Sequence, residues 1–166
     1  MQTILIIIGS APCVGADLAA IPTQAAADYM LIGLDSMDKY PGRAAYMATL
    51  HPDEIPECLQ RRSQAGGNID FREIIAHEEA PGVTMIVPHT PPSGSSALLG
   101  VLAAIQIGYR RIILAGCPLQ DQKYQEFHPG WQAHLARYIG KVRSMSGWTK
   151  DFLGYPTEEW LHAPDA

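Results

Sequence analysis

The chain has 166 residues, 47% hydrophobic and 17% charged, which is enough apolar content to bury a core. Its formal net charge is −5, from 12 Lys plus Arg against 17 Asp plus Glu, and that argues against sequence-independent binding of nucleic acid. Three scattered cysteines, Cys13, Cys58 and Cys117, form no C-x-x-C, so neither a disulfide framework nor a zinc site is expected and a reducing compartment is. The first apolar run, ILIII at Ile4–Ile8, has the pattern of a strand buried on both faces. It is too short for a signal peptide or membrane span and no basic segment precedes it, so a soluble, cytoplasmic protein is expected. The turn G-S-A-P-C follows, with Pro12 suited to open a short helix at 17–20.

A second strand is expected at 29–34, ending in Asp35-Ser36, and a weaker third at 45–50, ending in His51-Pro52. A helix is predicted over 53–64, with Ile55 and Leu59 on one face, closed by Gly66-Gly67. A further short helix is expected over 70–77, then a fourth strand at 83–87 ending in Pro88-His89. The Pro-broken loop 88–92 leads to Ser93-Gly94-Ser95-Ser96 and a helix at Ser95–Ile107 that is apolar nearly all round, with Gly108 as its cap. A fifth strand is expected at 111–115, ending in Gly116-Cys117-Pro118. Residues 120–125 read as loop, 131–142 as one helix, and the aromatics Trp148, Phe152, Tyr155 and Trp160 as a tail docked on the body.

Strands alternating with helices predict an α/β fold: a Rossmann-like, mostly parallel sheet of about five strands flanked by helices, with a C-terminal helical and aromatic tail. One domain over 1–166 is expected, with 1–119 as the sheet core and 120–166 as a lid and C-terminal helical segment. In open α/β sheets ligands lie beyond the carboxyl ends of the strands. Here those ends carry Gly9-Ser10, Asp35-Ser36, His51, His89 and Gly116-Cys117.

The turn Gly9–Gly15 misses G-x-G-x-x-G at Ala11 and has no Lys-Ser/Thr of a P-loop, so it is either a ligand turn or a plain strand-to-helix turn. The Ser93–Ser96 turn lacks the second glycine of a nucleophile elbow, since position 98 is Leu98. Its helix start suits an anion, and Ser93 or Ser95 alternatively serves only as a cap. His51 and His89 are each candidate acid–bases or hydrogen-bonded structural imidazoles. His128 lies in the loop after the last predicted strand and is the better lid candidate; His134 reads as surface. No H-x-x-x-H or HExxH spacing supports a metal hydrolase. Arg137, Lys141, Arg143 and Lys150 form a basic segment, read as a phosphate contact through Arg143 or as a solvated face. Asp35 suits a ribose hydroxyl or a turn cap.

The motifs G-S-A-P-C, S-G-S-S-A-L-L and G-Y-R-R-I-I-L-A-G-C-P-L resemble those of a superfamily. It joins sialyltransferase-like enzymes to 6-hydroxymethylpterin diphosphokinase-like proteins. The ending K-V-R-S-M-S-G-W-T resembles small phage or prophage members. The resemblance covers about residues 1–119. It implies a nucleotide or nucleotide-sugar ligand, CMP-type first, with no cofactor or metal required. It implies nucleotide contacts at Gly9, Ser10, Ala11, Pro12, Ser93, Gly94 and Ser95. Ala11 stands for the family's glycine and Pro118 for its strand-end Asp. The expected function is glycosyl transfer from a nucleotide-sugar, with His128 or His51 taking the acceptor proton. Alternatives are a non-catalytic nucleotide-binding or sequestering protein and a diphosphokinase on a pterin or nucleoside. The apolar helix and the tail aromatics suggest a homo-oligomer, with no nucleic-acid or membrane partner.

Overall fold

The fold is built outward from Ile4–Ile8 (β1), five buried Ile and Leu residues that pair in parallel on both edges. The computed structural model describes residues 4–22, 26–89 and 92–164; Thr90 and Pro91 of the expected Pro-broken loop lie outside them, as do residues 1–3 and the last two of the tail. β1 is followed by Val14–Ala20 (α1), Ala27–Ile32 (β2), Tyr46–Ala48 (β3), Ile55–Gln64 (α2), Glu73–Ala76 (β4) and Met85–Ile86 (β5). Then come Ser95–Ile107 (α3), Ile112–Ala115 (β6), His128–Ala133 (α4), Leu135–Tyr138 (α5), Val142–Ser144 (β7), Gly147–Leu153 (α6) and Glu158–His162 (α7).

The result is an α/β, Rossmann-like sheet of seven strands in the order β5-β4-β3-β2-β1-β6-β7, every neighbouring pair parallel. The two strands beyond the expected five are β4 and β7. Residues 73–76 form a strand where a helix was expected: Ile74 and Ile75 pair with Met47 and Ala48, and Ile75 also with Met85. The expected helix 131–142 breaks at His134 and again at Gly140, whose φ is +79, and Val142 then starts the edge strand. The expected loop 120–125 contains a 3₁₀ turn, Gln122–Phe127.

Alternation within each strand divides the core into two layers. Leu5, Ile7, Met30, Ile112 and Leu114 pack under α3 with Trp131 and Tyr138. Ile6, Ile8, Leu31, Met47 and Ile113 face Val14, Ile55 and Cys58 of α1 and α2. Ala97 to Ala104 of α3 are all buried, with the sheet on one side and α4 and α5 on the other. The chain therefore covers most of its own apolar helix, leaving Ile107 at its end 37% exposed. Trp148, Phe152 and Trp160 pack on the two layers, whereas Tyr155 is 41% exposed. Among the described residues no helix is long and apolar enough to cross a membrane.

Candidate functional site

The strand order steps from β1 out to β5 and then returns to β6 on the other side of β1. This reversal puts a topological switch point between the ends of β1 and β6. The two turns there are locked together. Gly9 N–H donates to Ala115 O at 2.8 Å and Ala11 N–H to Gly116 O at 3.2 Å. A Cβ on Gly9 would lie 2.3 Å from Gly116 O, so only glycine fits.

Asp17, buried in the first turn of α1, completes the lock. Its Oδ2 accepts from Gly116 N–H at 2.8 Å and from Ser146 Oγ at 2.8 Å, and Ser146 Oγ lies 3.3 Å from Cys13 Sγ. The N–H groups of Gly116 and Ala11, both expected at the nucleotide, are thus bonded within the fold. Ser10 is exposed and, among the described residues, has no hydrogen-bond partner. Burial raises the thiol of Cys13 and pushes that of Cys117 up to about 12, with Asp17 adding to both, so neither is an activated thiolate.

The segment after β7 closes the other flank. Thr149 Oγ1 donates to Cys117 O at 2.7 Å and lies 2.7 Å from Ser144 Oγ, and Thr149 N–H donates to Pro118 O at 3.2 Å. Gly147, with φ +69, comes so close that a Cβ would lie 2.3 Å from that of Pro118. Pro118, in place of an acid, is therefore a packing residue here.

At the start of α3, Ser93 Oγ accepts Ser95 N–H at 3.3 Å, and Ser96 Oγ accepts Leu50 N–H at 3.2 Å. Gly94 is the N-cap and has no side chain to offer the helix. Ser95 has φ +78, and its buried Oγ is without a hydrogen-bond partner. Among the expected caps, Ser93 bonds and Ser95 is left with an idle hydroxyl.

The short helix α4 links this start to the end of β6. A Cβ on Gly130 would lie 2.5 Å from Ser93 O and from Gly94 N, so α4 rests directly on the Ser93–Gly94 turn. At the first position of α4, His128 Nε2 is 2.7 Å from Leu119 O. The same imidazole lies flat on Trp148, with ring centroids 3.7 Å apart and planes 4° from parallel. Trp148 in turn stacks on Phe152 at 4.8 Å. A chain of contacts thus links the strand-end turns, the α3 start and His128.

Other expected residues stand apart. His51 is exposed, its backbone N–H donating to Thr49 Oγ1 at 2.9 Å. His89 faces His77 edge-on at 6.2 Å, and its pKa is lowered by burial first and then by His77 and His134. Asp35 is in a surface ion pair with Arg61 at 2.9 Å. Ser36 is fully buried and donates to Gly33 O at 3.0 Å, so it is withdrawn from any ligand. Arg143 sits midway along β7 opposite Ile113, its guanidinium 5.2 Å over the Trp160 ring. Its guanidinium thus packs at the level of the sheet. Among the described residues no group of three or more His, Cys, Asp or Glu is arranged to hold a metal ion.

Sequence reasoning missed Asp17, Ser146, Thr149 and Trp148. The signal for the last three was the S-M-S-G-W-T run, with glycine between a serine and an aromatic. Asp17 gave none, since its partners lie far along the chain.

The fold is similar to that of the sialyltransferase CstII from Campylobacter jejuni, solved in complex with a substrate analogue, cytidine-5'-monophosphate. The TM-score is 0.61 over 95% of this chain and 86% of that one, at 11% identity. At that identity the likeness is one of fold alone. No protein-family model and no curated protein matches the sequence.

Proposed function

We propose that the protein is a nucleotide-binding group transferase that moves a sugar from a nucleotide-sugar donor to a hydroxyl acceptor. The observation that carries this is α4, which holds His128 between the α3 start and the end of β6. A carbonyl only accepts, so the contact with Leu119 O assigns the proton to Nε2 and leaves the lone pair on Nδ1. His128 is then the base. Its Nδ1 takes the acceptor proton as the acceptor oxygen bonds to the sugar. The sugar–phosphate C–O bond breaks, and its electron pair leaves on the phosphate oxygen. The first-turn N–H groups of α3 and the idle Ser95 hydroxyl oppose that charge, and Ser10 meets the other end of the ligand. The CMP bound to CstII makes CMP the first ligand to test.

Calorimetric titration with CMP, then CDP, UDP, GDP and AMP, is the direct test. Micromolar binding of one nucleotide is expected, weakened roughly tenfold in Ser95→Ala by loss of one charge-assisted hydrogen bond. His128→Ala should keep that affinity and lower turnover by about 10²-fold or more. Absence of binding by any of the five overturns the reading. Pro118 at the strand end favours one alternative, a protein that binds the nucleotide without turnover. Tight binding with no transfer to any acceptor would select it.

A further inference from the structure

We propose that Trp148 is a positioning residue for His128, fixing the ring that accepts the proton and steadying the imidazolium it becomes. The proposal rests on the reading of His128 as the base. Two separate restraints meet on this imidazole. Leu119 O holds Nε2–H at 2.7 Å, but a ring held at one nitrogen still swivels about that bond. The indole face removes the swivel: the planes are 4° from parallel with centroids 3.7 Å apart. Nδ1 is then fixed as the basic nitrogen in both tautomer and direction.

The indole is itself held. Gly147 is pressed on Pro118, Thr149 N–H donates to Pro118 O at 3.2 Å, and Phe152 backs the far side of the ring at 4.8 Å. Leu119 and Trp148 are therefore both referenced to the same β6 turn, and His128 cannot follow one without the other. When Nδ1 gains its proton, the positive ring lies on the most electron-rich aromatic face available to a protein, a favourable cation–π arrangement. The stack thus steadies the ring as it takes the acceptor proton.

The test uses the full chain with ¹⁵N-labelled histidine in alkaline buffer, where imidazole is neutral. In the unaltered protein, the His128 nitrogens should report a single Nε2–H tautomer, and its ring protons should be shifted upfield by the indole. A mixed tautomer or unshifted ring protons would overturn the proposal without any variant. Trp148→Leu frees the ring to turn out of line with Leu119 O, so that bond is made only part of the time and the tautomers should average, and Trp148→Phe should restore the single one. In turnover assays, Trp148→Leu should lower kcat about tenfold with CMP affinity within about twofold, and Trp148→Phe should recover most of it. Equal loss of kcat and affinity in both variants, with reduced helicity, would mark a structural role and overturn the proposal. If no nucleotide binds and no turnover is found while the tautomer results hold, the transferase reading fails and the positioning stands.

Discussion

Arg62 is 1% exposed and has no carboxylate partner among the described residues. It donates instead to the backbone carbonyls of Met37, Tyr40 and Gly42, pinning the loop between β2 and β3 to α2, and to that of Asn68 just beyond α2. Burial lowers its pKa, yet the guanidinium stays charged because its lowered value starts from so high a level. Arg62→Leu leaves these buried acceptors unpaired and should cost about 3 kcal/mol, read from urea unfolding. A loss below about 1 kcal/mol would show that water replaces the guanidinium. Arg62 also shows what a sequence conceals. It lies on the Ile55 and Cys58 face of α2, so spacing alone assigns it to the core. Its residue type says surface, and only the loop carbonyls explain its burial. The same holds at the candidate site. Gly9, Ser93 and Ser95 were legible because they end strands or start a helix. The bond from Ser146 to Asp17 was not, because no local pattern links residues 129 apart.

Elements were legible where composition was extreme. β1 and α3 have the bounds that their apolar runs predict. β4 was misread because a strand of four residues is too short for its period to compete with a helical reading, and its β-branched pair carried the only clue. Residues 131–142 share a helical face, but Gly140 and the pull of an open β6 edge turn Val142–Ser144 into a strand. His134, between α4 and α5, comes close enough to His89 to act on its charge, as does His77, edge-on at 6.2 Å. His89 has a folded pKa below its ordinary 6.5, so below pH 6.5 the unfolded chain binds more protons. Stability from this group is complete above 6.5 and falls as the pH drops toward the folded value. Glu78 lies 3.7 Å from His77 and is not among the groups that shift His89. Thermal melts between neutral and mildly acid pH should show the fall, and His89→Gln should flatten it. An unchanged slope in the variant would place the effect elsewhere.

Across the whole molecule, α7 closes the far side of the sheet. Trp160 Nε1–H donates to Gly140 O at 2.9 Å, and Trp160 O accepts from Arg111 Nε at 3.0 Å. The guanidinium groups of Arg111 and Arg143 lie 5.3 and 5.2 Å over its ring. Arg111 also donates to Ala163 O at 2.7 Å. One indole thus ties α7 to the start of β6, the middle of β7 and the turn between α5 and β7. Trp160→Ala should lower stability by about 2 kcal/mol, below the value for a fully buried tryptophan because the ring is half-buried. Thermal unfolding reads this directly, and an unchanged midpoint would mean that the backbone contacts alone hold α7.

The pairing of β1 has a consequence for synthesis. β1 is made first, and β2 follows soon after, but β6, its other neighbour, starts only at Ile112. Until the ribosome has delivered that strand, five Ile and Leu residues present a bare hydrogen-bonding edge, and α3 lies without the α4 and α5 that cover it. The nascent chain is thus most adhesive just before its sheet closes. A message cut short ahead of Ile112 yields a product whose open centre invites its own kind, so shielding by chaperones matters most in that interval.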